Sequence, residues 1–415
     1  MNHLILDRCG LDLAPYQRWL DRPSDRLFLF AKEGRVDRAS LSGSSRVVLT
    51  EFDDLDRAPE LEHRAWTLAQ EQGVDTVVAL SEYDLLPAAR LRELLGVPGQ
   101  GTASALAFRD KARMKELLDA AGVPVAGFGV VDHAADLIGF ASRAGYPVVV
   151  KPRYGSGSVG VEVLTDEADL VSFLRRNPEL ADDRGAGLLA EEYVEHELFH
   201  VDGLLHDGRV ELAWPSRMTS CLGFHHGAAL RSRMLAPDEP GTAELLALTD
   251  RVVAALPAPG SAAFHLEVFG NEKRGLVANE IACRVGGARI LPAVEAAFGL
   301  NLLEAHARAV AGYPVTPPRD RRPRPLIGFV MFPPVEGTVR AVPSGPPPDA
   351  VVDYRLKISP GDVLGAAHTS VDNVASVLVR GDTADELDRA LDSVVSWFHG
   401  STRIEPAAGS AAQPC

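Results

Sequence analysis

Short apolar runs alternate with longer amphipathic stretches through the first part of the chain. The runs at 4–6, 27–30, 47–49 and 76–80 predict strands, and the stretches at 59–72 and 85–95 predict helices. Such alternation is typical of a parallel sheet covered by helices. The pattern therefore predicts a small parallel αβ domain over residues 1–98, which ends in the Gly- and Pro-containing segment 96–101.

The rest of the chain predicts further units. Residues 99–201 predict a middle lobe with an apolar strand, and residues 202–313 a lobe with a hairpin followed by a helix at 291–311. A Pro- and Arg-rich connector at 314–325 precedes an αβ unit at 326–405, with strands at 326–331 and 374–379 and a helix at 384–398. The tail 406–415 is predicted to be disordered. The predicted fold class is α/β (α+β), with several domains.

Two glutamates stand at equal distances from a turn in the third unit. Glu267 and Glu280 lie in apolar, strand-like segments on either side of the Gly- and Asn-containing stretch 270–275. A hairpin around this stretch pairs the two carboxylates across the ladder, where they can face the same side.

The face of this hairpin suits a hard cation. Period-two alternation places His265 beside Glu267, and the small residues Ala278 and Ala282 beside Glu280. Neighbouring carboxylates repel unless a cation lies between them, and magnesium often takes one or two protein carboxylates together with phosphate oxygens. A hairpin with solvated acids is the alternative for this pair taken alone.

A glycine-rich loop lies about a hundred residues upstream. The apolar run 148–152 contains Lys151 and is followed by Arg-Tyr-Gly-Ser-Gly-Ser-Val-Gly-Val at 153–161. Glycines allow several backbone N–H groups to approach one anion, and a lysine adds a point charge. The stretch is not a Walker A sequence, and a plain glycine hairpin is the alternative.

Two more segments complete the pattern. Lys111 begins an amphipathic helix that ends near 121–124, which alone is an ordinary charged helix. In 188–197 an apolar strand runs into Glu-Glu-Tyr-Val and further acids, followed by Phe-His-Val-Asp-Gly at 199–203. A strand that ends in acids and apolar residues would suit an adenine slot.

Taken in order, these elements resemble the ATP-grasp superfamily over residues 75–310. Within it, the runs 199–203 and 280–287 are similar to carboxylate–amine ligases, which include the L-amino-acid ligases that make dipeptides. The resemblance implies an ATP-grasp fold with a small parallel αβ domain before it, a middle lobe that clasps nucleotide and an accessory αβ unit after it.

The resemblance also implies roles for individual residues. Those implied to bind ATP are Lys111, Lys151, Gly155, Ser156, Gly157, Ser158, Glu191, Glu192, Tyr193, Val194 and Glu197. Those implied to coordinate magnesium are Glu267 and Glu280. Arg284 would contact the transferred phosphate or the substrate carboxylate, and Gly286 and Gly287 would let the chain pass close to an acyl-phosphate. The implied catalytic groups are Arg284, Lys151 and His265, although His265 can equally be an imidazole satisfied within the hairpin.

The chain departs from the family pattern at two positions. Ala282 stands where many members have an asparagine that binds metal, so the number of magnesium ions is open at one or two, with Mn2+ as an alternative ion. Leu198 stands where the ribose-binding acid is usual, so either Glu197 or Glu191 takes that role.

Composition narrows the classes of function. The chain has 415 residues, 46% hydrophobic and 24% charged, with a net charge of −15. This is ordinary globular composition, and the acidic balance argues against nucleic acid as a partner. Four scattered cysteines, no long apolar stretch and no signal-like start predict a reduced cytoplasmic protein that does not enter a membrane.

The sequence gives its least specific pattern for the residues that would bind the substrates. His226, Arg231 and Arg233 lie between the matched motifs, and an arginine is the usual partner of a carboxylate. A loop histidine with no ligand is the alternative for His226.

The expected activity is that of an ATP- and magnesium-dependent ligase, which joins a carboxylate to an amine through an acyl-phosphate. The expected assembly is a homodimer. A carboxylase that activates bicarbonate and a nucleotide-binding module without turnover are the alternatives.

Overall fold

The computed structural model describes residues 1–41, 45–56, 58–182, 185–219, 224, 227–367 and 372–406. The predicted disorder of the tail falls on residues outside these ranges, apart from residue 406. None of the helices in the described ranges is long and apolar enough to cross a bilayer.

The N-terminal domain is a four-stranded parallel sheet with helices on it. Its elements are β1 (Asn2–Asp7), α1 (Tyr16–Trp19), β2 (Arg26–Lys32), β3 (Val47–Phe52), α2 (Glu60–Gln72), β4 (Thr76–Ala79) and α3 (Leu85–Leu95), with the strand order β3-β2-β1-β4. The predicted strands and helices are confirmed. Leu4 and Ile5 are buried on opposite faces of β1, in two different apolar clusters, because helices cover both sides of the sheet.

The middle part of the chain forms a small lobe, which is an antiparallel sheet covered by two helices. It follows α4 (Thr102–Arg109) and α5 (Lys111–Ala120), and contains β5 (Phe128–Val131), α6 (Ala134–Ala144), β6 (Val148–Pro152), β7 (Glu162–Leu164), α7 (Glu167–Arg176) and β8 (Leu188–Glu192). The strand order is β5-β8-β6-β7. Phe140 of α6 and Phe173 of α7 pack on Val148 and Val150 of β6.

The remaining elements form one large sheet with its helices. They are β9 (Glu197–His206), β10 (Arg209–Met218), β11 (Leu230–Met234), α8 (Thr242–Ala255), β12 (Ala262–Asn271), β13 (Gly275–Ala282), α9 (Ile290–Phe298), α10 (Leu302–Val310), β14 (Leu326–Phe332), β15 (Gly337–Ala341), β16 (Val351–Leu356), β17 (Val363–Leu364), β18 (Ala375–Gly381), α11 (Ala384–Ser401) and β19 (Arg403–Glu405). The sheet is antiparallel, in the order β13-β12-β9-β10-β11-β14-β18-β16, and β17-β15-β19 form a second small sheet.

Three features differ from the sequence-based expectation. Strands β14, β18 and β16 extend the large sheet, so the sheet of residues 202–313 continues into residues 326–405. Helices α4 and α5 pack on the large sheet, where Phe108 and Met114 share a core with Phe264. The helix predicted at 291–311 is two helices, because Gly299 ends α9 in a left-handed conformation and Asn301 caps α10 through the N–H groups of residues 303 and 304.

Candidate functional site

A cleft of about 220 Å3 lies between the small lobe and the large sheet. Strand β6, the glycine loop and the end of β8 form one wall. The hairpin of β12 and β13 and the following loop form the other. Of the residues implied to bind nucleotide, metal or substrate, the cleft is lined by Lys111, Lys151, Gly155, Ser156, Gly157, Ser158, Glu191, Glu192, Tyr193, Val194, His265, Glu267, Glu280, Arg284 and Gly287.

Glu267 and Glu280 stand directly opposite each other on the paired strands. The predicted pairing is confirmed, and both side chains line the cleft. Two oxygen donors on neighbouring strands fit a divalent cation of the magnesium type.

A bulge brings a further residue into this face. The register shifts after Glu267, so that Val268 pairs with Ala278 and Asn279 is the extra residue. The Asn279 amide donates to Glu267 Oε2 at 3.0 Å, and Lys151 Nζ donates to its Oδ1 at 3.2 Å. Ala278 is instead buried in the core on the opposite face, so its predicted place beside Glu280 is wrong.

Lys111 links the hairpin of β12 and β13 to the glycine loop. Its Nζ lies 3.0 Å from Glu280 Oε2 and donates to the carbonyl of Gly155 at 2.7 Å. Burial opposes ionisation of Glu280, but Lys111 and Lys151 outweigh it and lower the pKa of its carboxyl to about 2. Glu280 is therefore an anion at neutral pH, as a metal ligand must be.

The Glu191 carboxylate lies between two buried lysines. Lys151 Nζ is 2.9 Å away and Lys115 Nζ 3.2 Å away, and the side chain of Lys115 is fully buried. Burial raises the pKa of Glu191, but the two ammonium groups outweigh this and hold the pKa below its usual value. This carboxylate is thus paired within the protein; its role toward a ribose stays a prediction. Lys115 was missed from the sequence, where it is one lysine of a charged helix.

Arg284 is held by a carboxylate from the N-terminal domain. Its Nε donates to Glu82 Oε2 at 2.6 Å, and Arg109 Nη1 donates to Glu82 Oε1 at 2.7 Å. Glu82 was also missed, although it follows β4 at the carboxyl end of a parallel strand, where ligand-binding residues are common. The N-terminal domain thus orients an arginine of the cleft.

The glycine loop is attached to the same region. Arg109 Nη2 donates to the carbonyl of Tyr154 at 2.9 Å, and the hydroxyls of Tyr83 and Ser156 lie 3.0 Å apart. Gly157 and Ser158 have φ values of 63° and 60°, in the left-handed region that turns the loop over the cleft.

The other end of the cleft is mainly apolar. Val149, Tyr193, Val194 and Phe269 line it, and the His196 ring stacks on Phe269 with centroids 3.8 Å apart. Flat rings and aliphatic side chains suit an adenine base.

Glu197, expected as a possible ribose-binding acid, has a partner outside the cleft lining. Its carboxylate pairs with Arg217 at 3.4 Å, and Leu198 lines the cleft in its place. The side chain of Glu192 lines the cleft and pairs with Arg274 at 2.9 Å.

His265 is held from behind by a residue of β9. Its Nδ1 lies 2.9 Å from Asp202 Oδ1, and its Nε2 lies 3.6 Å from Glu267 Oε1. Burial lowers the pKa of the imidazole, but the Asp202 carboxylate outweighs this and raises it to about 9. Gly286 packs over this pair, because a Cβ there would come within 2.7 Å of Asp202 Oδ1.

The proposed substrate arginines lie on the opposite face of the sheet. Leu230 faces the cleft, so alternation along β11 turns Arg231 and Arg233 away. Arg231 donates to Asp392 of α11 at 2.6 Å, and Arg233 pairs with Asp388 of α11 at 2.9 Å. Both arginines therefore have carboxylate partners within the protein, and their expected contact with a substrate carboxylate stays a prediction. His226 lies outside the described residues.

Comparison with known proteins places this cleft in a known fold. Residues 110–201 match the family model described as the ATP-binding domain of the carbamoyl-phosphate synthase L chain. Over 237 residues, 56% of each chain, the sequence is 32% identical to the L-arginine-specific L-amino acid ligase of Bacillus subtilis. It is 25% identical over 258 residues to the alanine–anticapsin ligase of Bacillus subtilis (strain 168), 54% of which is covered. The alignments thus span about half the length of these curated relatives.

Solved structures match along almost the whole chain. The L-amino acid ligase from Bacillus licheniformis has a TM-score of 0.71 and 18% identity, with 98% of each chain covered. The biotin carboxylase domain of Hydrogenobacter thermophilus 2-oxoglutarate carboxylase, solved with MgADP and bicarbonate, has a TM-score of 0.66 and 18% identity, with 97% of this chain and 90% of that chain covered. The protein has the ATP-grasp fold, which confirms the fold predicted from its motifs.

Proposed function

We propose that the protein is an ATP- and Mg2+-dependent ligase that joins a small carboxylate to an amine, with an amino acid as one substrate. The observation that carries the proposal is the pairing of Glu267 with Glu280 in one cleft with Lys111, Lys151 and Arg284. Similarity to two L-amino acid ligases supports the reaction class.

Charge distribution in the cleft suits phosphoryl transfer. Lys111 and Lys151 reach the side where the glycine loop would cover the phosphates, and the apolar end would take the adenine. Glu267 and Glu280 would hold one or two Mg2+ ions, with Mn2+ as an alternative, and the metal would neutralise charge on the phosphate oxygens. Positioned cations of this kind stabilise the oxygens on which charge develops.

The reaction would proceed in two steps. An oxygen of the substrate carboxylate attacks the γ-phosphorus of ATP, ADP leaves, and an acyl-phosphate is formed. The amine nitrogen then attacks the acyl carbon, phosphate leaves with the bonding electron pair, and the nitrogen loses a proton. Arg284 would hold the transferred phosphate, and Gly286 and Gly287 would let the chain lie close to it while the closed cleft excludes water.

Phosphate release in a matrix of amino acids, small carboxylates and bicarbonate, with mass spectrometry of the active wells, tests the proposal. We expect ADP formation that needs both a carboxylate and an amine, with a product mass equal to their sum less water. Turnover that needs bicarbonate would replace the ligase by a carboxylase, and nucleotide binding without turnover would replace it by a binding module.

We also propose that the enzyme acts as a homodimer in the cytoplasm and binds no nucleic acid, as the sequence resemblance and the acidic charge imply. Light scattering coupled to gel filtration tests the dimer, since a mass of twice 44.4 kDa is expected. A mass of one chain at micromolar concentration would contradict it.

A further inference from the structure

Four buried polar side chains form a continuous chain behind Glu267. Asp202 Oδ1 lies 2.9 Å from His265 Nδ1, and Asp202 Oδ2 lies 2.5 Å from His200 Nδ1. The other nitrogen of His200 lies 2.7 Å from the hydroxyl of Ser232. All four are buried, on three strands of the large sheet, and the chain ends where His265 Nε2 faces Glu267.

The positions of the protons follow from the partners. Burial opposes the Asp202 anion, but His265 and His200 outweigh it and hold the pKa of Asp202 well below its usual range. An ionised carboxylate only accepts, so both Nδ1 atoms carry hydrogen. Asp202 therefore sets which nitrogen of His265 points back into the protein and which points at Glu267.

Metal binding by this cluster itself is not favoured. The ligand atoms of His200, Asp202 and His265 lie within 4.8 Å of one another. Each of the facing atoms is, however, already used in a hydrogen bond to another member. The adjoining cavity has a volume of about 10 Å3, with room for one water at most.

We propose that Asp202, supported by His200 and Ser232, is a positioning residue for the metal site. It holds the His265 ring so that Nε2 faces one oxygen of Glu267 at 3.6 Å, while Asn279 donates to the other oxygen at 3.0 Å. The carboxylate is thereby presented to the cation in one orientation. The inference rests on the proposed function in that Glu267 is taken as a metal ligand.

The loop after β13 supports this role. A Cβ at Gly286 would lie 2.7 Å from Asp202 Oδ1 and 2.8 Å from His265 Nδ1, so the backbone passes directly over their hydrogen bond. The same loop carries Arg284 and Gly287 into the cleft. The Asp202–His265 pair thus lies between the metal face and the loop that follows it, and its orientation affects both.

The Asp202→Asn variant tests the proposal by cation binding without turnover. Mn2+ binding in the presence of ADP is followed by electron paramagnetic resonance. We expect the Mn2+ dissociation constant to rise about 10- to 100-fold, the effect usual when a group that orients a metal ligand is lost. Nitrogen-15 NMR should show a changed chemical shift for His265 Nδ1, because its carboxylate partner is lost. Glu267→Gln is the positive control and must also weaken Mn2+ binding.

A second buried His–Asp pair provides the matched control. His3 Nε2 lies 3.0 Å from Asp25 Oδ2 in the N-terminal domain, away from the cleft. Asp25→Asn should lower the melting temperature but leave Mn2+ binding unchanged. An Asp202→Asn protein with wild-type Mn2+ affinity, or an equal loss in Asp25→Asn, would overturn the inference.

Ser232→Ala keeps the inference testable if Asp202→Asn does not fold. This change removes a single hydroxyl at the far end of the chain, and we expect Mn2+ binding to weaken by a smaller factor. Unchanged binding in Ser232→Ala would overturn the inference, because the support of Asp202 by His200 and Ser232 is part of it. Because Mn2+ binding needs no turnover, wild-type protein that binds Mn2+ and ADP but makes no amide would refute the ligase and leave this inference standing.

Discussion

The Glu191→Gln substitution removes a carboxylate that lies between two buried ammonium groups. In the wild type, Lys151 Nζ is 2.9 Å and Lys115 Nζ 3.2 Å from Glu191 Oε1, and the Lys115 and Glu191 side chains are 0% and 3% exposed. Glutamine keeps the shape and removes the charge, so both lysines would remain buried without this anion.

The expected loss follows from the distances. Charges about 3 Å apart interact by roughly 5 kcal/mol at an effective dielectric constant near 20. Breaking a buried pair by removing one partner costs about 3–5 kcal/mol in the free energy of unfolding. Burial already lowers the pKa of Lys115, and without Glu191 it would fall further. In the variant, Lys115 of the unfolded chain then binds its proton more tightly than Lys115 of the folded protein. The free energy of unfolding of the variant should therefore increase as the pH rises toward 10.5, the ordinary pKa of lysine.

Urea unfolding followed by tryptophan fluorescence measures this difference. The matched control is Glu192→Gln, because Glu192 is the next residue and its side chain is 35% exposed in an ion pair with Arg274. An exposed pair of this kind contributes about 0–1 kcal/mol. Adding Lys115→Met to Glu191→Gln removes one unpaired charge and should restore part of the stability.

Two results would refute the reasoning. One is a loss in Glu191→Gln no larger than the loss in Glu192→Gln. The other is a double variant that is no more stable than Glu191→Gln alone. Either would mean that the buried lysines do not depend on this carboxylate for their charge.

Three further predictions address the loop after β13, the arginine of the cleft and a buried histidine. Gly286→Ala should lower the free energy of unfolding by about 1–3 kcal/mol, because the added Cβ would contact Asp202 and His265. Gly345 has open space around it, so Gly345→Ala should leave the free energy of unfolding unchanged when both variants are compared by thermal melting. Glu82→Gln should displace Arg284 and thereby lower the kcat of ADP formation by about 100-fold, with little change in the KM for ATP. An unchanged kcat would contradict this prediction. Burial, with a smaller contribution from Arg92, lowers the pKa of His306 to about 4. Between pH 6.5 and 4 the unfolded chain therefore binds more protons than the folded protein. The free energy of unfolding of the wild type should fall by about 3 kcal/mol as the pH is lowered over that range. Urea unfolding of a His306→Leu variant should not show this fall.

Local patterns were sufficient for the elements of the N-terminal domain and for the pairing of the two glutamates. Turn residues at 270–275 and apolar strands on both sides determine that Glu267 meets Glu280, because a hairpin links residues close in sequence. The same holds for the N-terminal parallel sheet and for the helix that begins at Lys111. Motif order then predicted the ATP-grasp fold, which the structural comparison confirms.

Tertiary structure decided which other side chains reach the cleft and what holds them. Glu82 meets Arg284 across 202 residues, and Lys115 of α5 meets Glu191 of β8 in a different part of the chain. Asn279 enters the face of the two glutamates through a bulge, which shifts the register by one residue and reverses the alternation of side chains beyond it. Arg231 finds a carboxylate partner away from the cleft because the strands of residues 326–405 extend the sheet and bring α11 to its other face. The sequence by itself determined the local elements, the carboxylate pair and the family of folds. The chain's long-range packing decided the charge partners, because a buried charge is stable only where another part of the chain supplies its counterion.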